Sequence, residues 1–180
     1  MAANSTIYRG KIQLSDVDRG CYEQLELTLA QHPSETGERL VARILAYALC
    51  YEQGLTFTKG ICEGDSPDIS YQLPGEKMKL WVEAGEPSAE RMLTACRKAE
   101  QVELFLYAKH PWRWEQTHLE SLRAMPNLKI TLLPGDQLTA VSTGMKRGFD
   151  WSVTVTDGVV YLDTGGVSAE FELKQLLDPR

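Results

Sequence analysis

The spacing of apolar residues changes period several times between residues 33 and 133, and that alternation restricts the fold more than any other feature of the chain. In ETGERLVARILAYALCYEQ, the residues Leu40, Val41, Ile44, Leu45, Ala48 and Leu49 recur at helical spacing. Ser34, which follows His32-Pro33, is the expected N-cap, and Gly54 the expected stop. Three short strands come next, at 55–59, 67–72 and 79–84. Pro87-Ser88 then opens a second helix with Met92, Leu93, Cys96 and Ala99 on its inner face. VELFLYA (102–108) is an apolar strand, WRWEQTHLESLRAM a third helix ending before Pro126, and LKITLL one more strand. Helices embedded between strands predict a mixed central sheet flanked by helices, in the α/β (α+β) class.

Both ends of the chain read as additional antiparallel strands. The runs 6–14 and 22–30 are separated by a turn-rich join, and Leu25, Leu27 and Leu29 alternate with polar neighbours. Near the C-terminus, Asp157-Gly158 between alternating runs is the favoured two-residue hairpin signal. A last strand follows Gly165-Gly166, with Val167, Ala169, Phe171 and Leu173 on one face. The expectation is a single domain of 180 residues. Its core spans about 33–133, and the terminal segments 5–31 and 150–175 pack on it as a second sheet or an extension of the first.

Several chemistries are excluded by what the chain lacks. No run approaches the roughly 20 apolar residues of a membrane span, and MAANSTIYRGKIQLSD has no apolar secretory core. A cytoplasmic protein without a membrane partner is therefore expected. Cys21, Cys50, Cys62 and Cys96 form no C-x-x-C pair, which favours reduced thiols over zinc. There is no phosphate loop or G-x-G-x-x-G turn, so no small-molecule organic cofactor is expected. No G-x-S-x-G elbow is present, and three histidines are too few for a histidine-based metal site. The net charge of −6 runs against a generally basic nucleic-acid surface. Two local stretches remain candidates, Lys109-His110-Pro111-Trp112-Arg113-Trp114 and Met145-Lys146-Arg147. Their plainer reading is a solvated loop and an aromatic anchor in the core.

The short joins of the three central strands favour an antiparallel meander. The end of the first strand, the start of the second and the end of the third then meet at one edge. Those positions are Lys59, Asp68 and Glu83. The first helix should start at that edge too, bringing Ser34, Glu35 and Glu38, and the second helix begins there, with Arg91 one turn in. Asp68 and Glu83 are thus the candidate catalytic and metal-binding pair, suited to Mg²⁺ or Mn²⁺. Lys59 would stabilise charge in the transition state, and Ser34, Glu38 and Arg91 are supporting candidates. Each residue also has a plainer reading. Asp68 follows a proline in a turn, Glu83 can pair with Arg91, and Lys59 can be solvated at a strand end. Glu38 can pair with Arg39 or Arg43, and Ser34 can be only a cap.

The element order, with Pro67-Asp68 opening the second strand and Glu83 on the third, resembles the PD-(D/E)XK core of restriction-endonuclease-like nucleases. Longer stretches are more specific: 29–36 (LAQHPSET), 57–60 (FTKG), Pro67-Asp68 and 80–85 (LWVEAG) are similar to the YaeQ family of bacterial proteins. That resemblance implies a compact variant of the nuclease fold and brings no established activity with it; the clustered charges together with the nuclease-like core make the chain a candidate metal-dependent nuclease with nucleic acid as partner. The alternative is a catalytically inactive nuclease-fold module that binds nucleic acid or a protein. Gly85 departs from the pattern, because it stands where the motif lysine would share a face with Trp81 and Glu83. Lys59 is the first candidate for a relocated cation and Arg91 the second, while Lys98 is expected to lie too far along its helix.

Overall fold

The computed structural model describes residues 4–58 and 65–179. In chain order these form β1 (Thr6–Asp16), β2 (Cys21–Gln31), α1 (Gly37–Leu49), β3 (Thr56–Phe57), β4 (Ile69–Tyr71) and β5 (Met78–Ala84). Next come α2 (Ala89–Lys98), β6 (Ala99–Leu106), α3 (Pro111–Trp114), a π-helical turn (Glu115–Leu119) and α4 (Glu120–Leu122). The chain closes with β7 (Leu128–Leu132), α5 (Gly135–Thr143), β8 (Gly148–Thr156), β9 (Val159–Asp163), β10 (Ser168–Glu172) and β11 (Lys174–Leu177). No helix among the described residues is long and apolar enough to cross a membrane. The architecture is mixed α+β with two mixed sheets, divided into two compact units.

The first unit comprises residues 1–49 and 136–173. Its sheet has the order β10–β9–β8–β1–β2. The long hairpin β1–β2 and the meander β8–β9–β10 are antiparallel, as the sequence predicts, but β1 pairs with β8 in parallel. The terminal strands other than β11 therefore build a sheet of their own. The expected turn at Asp157-Gly158 has both residues at positive φ, 53° and 74°, which matches the twist of its strands. Asp18 caps it, accepting from both amides at 2.8 and 2.9 Å. α1 belongs to this unit and buries residues around most of its circumference. Its start corrects the expected cap: Thr36 Oγ1, not Ser34, accepts from the Arg39 amide at 3.2 Å.

Gly10 is required by a close approach within this sheet. It pairs with Leu27 and Phe149, and a Cβ there would stand 2.3 Å from the Phe149 ring. Overpacking of this kind costs about 2 kcal/mol. Gly10→Ala is expected to lower unfolding stability by that amount in a denaturant titration, and Phe149→Leu in the same chain to restore part of it.

The second unit comprises residues 50–135 and 174–180. Its sheet has the order β11–β7–β6–β5–β4–β3. β5, β6 and β7 run parallel, whereas β3, β4 and β11 are antiparallel additions at the two edges. The three parallel strands are the apolar runs of the sequence, as expected for strands covered on both faces. Trp81, Met92, Val102, Leu104, Leu106, Trp114, Leu122, Leu128 and Ile130 meet in one core. The third expected helix forms over 111–122 with a π turn in its middle, which lets both Trp114 and Leu122 face that core.

Candidate functional site

The meander β3–β4–β5 brings two carboxylates together. Ile69 pairs with Val82, and Asp68, the residue before it, stands at the end of the ladder beside Val82. The Asp68 amide donates to Val82 O at 3.0 Å, and Thr58 N donates to Asp68 O at 3.1 Å. Both side chains are buried, Asp68 to 2% exposure and Glu83 to 4%. The Asp68 carboxylate accepts the Ala84 amide on Oδ2 at 2.9 Å, which places it beside the residue that follows Glu83.

Glu83 is held from two sides. Trp81, two residues earlier and therefore on the same face, donates its indole Nε1–H to Glu83 Oε1 at 2.9 Å. Arg91 donates to the same oxygen from Nε at 3.0 Å and Nη2 at 2.5 Å. Nη2 also reaches Ser66 O at 2.7 Å. The arginine is positioned by the start of α2, where Ser88 Oγ caps its amide at 3.2 Å. One guanidinium thus ties α2 to both the loop before Asp68 and the strand carrying Glu83.

Asp68 and Glu83 lie close enough for each charge to be felt by the other. Burial, and next the neighbouring Asp68, raise Glu83 to about 7, against the opposing pull of Arg91 and the Trp81 hydrogen bond. Among the described residues, no group of three or more His, Cys, Asp or Glu is placed to share a metal ion. Two carboxylates are oxygen donors of the kind taken by a cation such as Mg²⁺ or Mn²⁺ that retains several waters. The donor set fits that kind of ion and offers nothing to zinc's preference for nitrogen and sulfur.

Gly85 has a backbone reason. Its φ is 127°, in the region that L side chains rarely adopt, and its amide donates to Phe105 O at 3.0 Å. A lysine at that position would strain the exit from β5. Lys59, the first candidate for a relocated cation, lies outside the described residues. Lys98 lies over the indole that bonds Glu83. Its Nζ lies 5.9 Å from the Trp81 ring centroid, with Arg91 5.8 Å from the same ring. With Asp65, Ser88, Glu90 and Thr94, these three residues line a cleft of about 240 Å³.

The remaining expected participants belong to the first unit and have partners there. Ser34 is exposed, with Oγ 2.6 Å from His32 Nδ1. Glu38 Oε1 accepts from Thr139 Oγ1 at 3.4 Å. Between them in sequence, Glu35 is buried and accepts from Arg39 and Arg43, a cluster that spacing alone did not single out. The indole N–H of Trp81 was likewise missed as a ligand of Glu83. Its position two residues earlier on the same strand was the available signal.

A family model described as YaeQ protein matches residues 1–173. Uncharacterized protein YaeQ of Escherichia coli (strain K12) is 34% identical over 182 residues, covering 99% of each chain. The Salmonella typhi protein of the same description is 32% identical, again over 99% of each. Among solved structures, the YaeQ protein from Pseudomonas syringae superposes with a TM-score of 0.92 at 32% identity, covering 97% of both chains. The YaeQ protein from Xanthomonas axonopodis pv. citri gives 0.94 at 31%, covering 98% of this chain and all of the other.

Proposed function

The chain belongs to the YaeQ family, and from that premise and the paired buried acids we propose that it is a metal-dependent phosphodiesterase acting on nucleic acid. The observation that carries the reading is the closeness of two buried carboxylates, Asp68 just before β4 and Glu83 on β5, with Asp68 bonded to the Ala84 amide next to Glu83. The element order and the Pro67-Asp68…Glu83 pattern, similar to a restriction-endonuclease-like core, support it. Asp68 and Glu83 would hold Mg²⁺ or Mn²⁺, which lowers the pKa of bound water and neutralises charge on a phosphoryl oxygen. Trp81 and the Ala84 amide fix the orientation of the two carboxylates, each by a hydrogen bond to one oxygen. Arg91 keeps Glu83 in place and offsets part of the acidic charge against which a phosphate must approach. In this reading Lys59 stabilises the attacking oxygen, and neither Ser34 nor Glu38 is required.

Binding is expected to compete with the proton on Glu83. Calorimetric titration with Mn²⁺ should give a site at about pH 8 whose affinity falls about tenfold at pH 6, because the cation needs the deprotonated acid. Asp68→Asn and Glu83→Gln should each remove that site, and cleavage of nucleic acid with it. A second reading follows from the three hydrogen bonds on Glu83 Oε1: Arg91 is then the resident cation of a non-catalytic module. Absence of any Mn²⁺ site in the millimolar range at both pH values decides for that module.

A further inference from the structure

Within the second unit, one large apolar side chain stands half exposed among the described residues, and it is a tryptophan: Trp112, at 52%. The sequence placed it in the basic stretch Lys109–Trp114 and offered a core anchor as the plainer reading. The structure divides those roles between two tryptophans. Trp114 is the anchor, 5% exposed and donating its indole N–H to Pro87 O at 2.7 Å. Trp112 is left at the surface with the Arg113 guanidinium 5.2 Å from its ring centroid and the His110 ring 6.4 Å away. Lys109 is exposed in the same turn. The nearest acids in these segments are the exposed Glu86, in the loop that leads to Pro87, and the half-buried Glu115.

The anchor fixes where this platform stands. Pro87 lies four residues beyond Glu83, in the loop between β5 and α2. The bond from Trp114 therefore ties the start of α3 to the segment that leaves the acid pair. β5 and β6 run parallel, and both Gly85 and the 107–110 turn lie past their carboxyl ends. Ligands of open α/β sheets bind along that edge. An indole face flanked by an arginine, a lysine and a histidine suits an unpaired base, which can stack while its phosphates meet the cations. Bases inside a duplex offer no such face. The geometry points to Trp112, with Lys109 and Arg113, as the binding platform for single-stranded nucleic acid at this site. The inference rests on the nuclease reading for its location and names the substrate class.

The test reads binding apart from cleavage. A labelled single strand of about twelve nucleotides, within the usual site sizes, is titrated with the full chain in EDTA and followed by anisotropy. The same strand in duplex and anionic phospholipid vesicles serve as comparisons. The single strand is expected to bind more tightly than the duplex. Trp112→Ala should weaken it about tenfold, while Trp112→Phe keeps most of the affinity. Lys109→Gln with Arg113→Gln should lower the slope of log affinity against log salt by about 1.4, roughly 0.7 per cation. These results support the platform even if Mn²⁺ promotes no cleavage, in which case the nuclease reading alone fails. Equal binding by Trp112→Ala and the parent chain overturns the platform, even if cleavage is found. Binding to vesicles with none to the single strand overturns it as well.

Discussion

Arg91→Met is expected to cost about 3 kcal/mol of folding stability at pH 8, and much less at pH 5. The substitution leaves Asp68 and Glu83 buried side by side without the guanidinium that reaches Glu83 Oε1. The pH dependence follows from the direction of the Glu83 shift. Its value in the folded parent chain is raised from 4.5 to about 7, so the folded state keeps a proton that the unfolded state releases. The associated stability is fully present below about pH 4.5 and is lost as pH rises to about 7, a change of up to about 3 kcal/mol. Without Arg91 the pull that lowers the Glu83 value is gone, and the loss extends to higher pH. Urea unfolding in EDTA at three pH values measures both chains. Mn²⁺ added at pH 8 should restore part of the deficit by supplying the missing positive charge. A pH profile for Arg91→Met no steeper than that of the parent chain would refute the account of the acid pair.

The second large effect is expected in the first unit. Glu35→Leu should lower stability by about 3 kcal/mol, because it removes the acceptor shared by two arginines. Glu35 Oε1 accepts from Arg39 Nη1 at 2.8 Å and Arg43 Nη1 at 3.0 Å, while Oε2 accepts from Arg43 at 2.9 Å and from the His32 amide at 3.3 Å. The Arg43 side chain is only 4% exposed, so its charge cannot simply move into water. Glu35→Leu combined with Arg43→Met should recover a large part of the loss, since the pair is removed together. Denaturant midpoints of the single and double variants measure the coupling. Additive effects would show that Glu35 and Arg43 act separately.

Local signals carried well from sequence to structure. The Asp157-Gly158 turn, the β1–β2 hairpin and the meander that brings Asp68 beside the end of β5 all depend on residues close in the chain, where turn chemistry and period suffice. The parallel pairing of β1 with β8 joins Arg9 to Gly148, and no local pattern specifies a partner at that distance. α5 was missed because it buries only Leu138 and Val141, and its Thr139, Ser142 and Thr143 favour helices weakly. For the site, the two acids were legible as carboxylates in apolar or turn contexts. The reach of Arg91 to both Glu83 and Ser66, and of Lys98 to Trp81, depends on how α2 lies along β5. Side-chain length and helix placement decide such contacts, and spacing along one helix does not.

The strand order of the first sheet bears on how the chain is made. β1 leaves the ribosome early, yet one of its two hydrogen-bonding edges is filled only by β8. At 5–20 residues per second, the wait between these strands is on the order of ten seconds. For that time β1 is covered by β2 on one side alone, and Ile7 and Ile12 sit on a strand whose other margin is an open template for foreign strands. Slow elongation therefore prolongs the hazard for this protein, and a chaperone that shields nascent edge strands would raise its soluble yield.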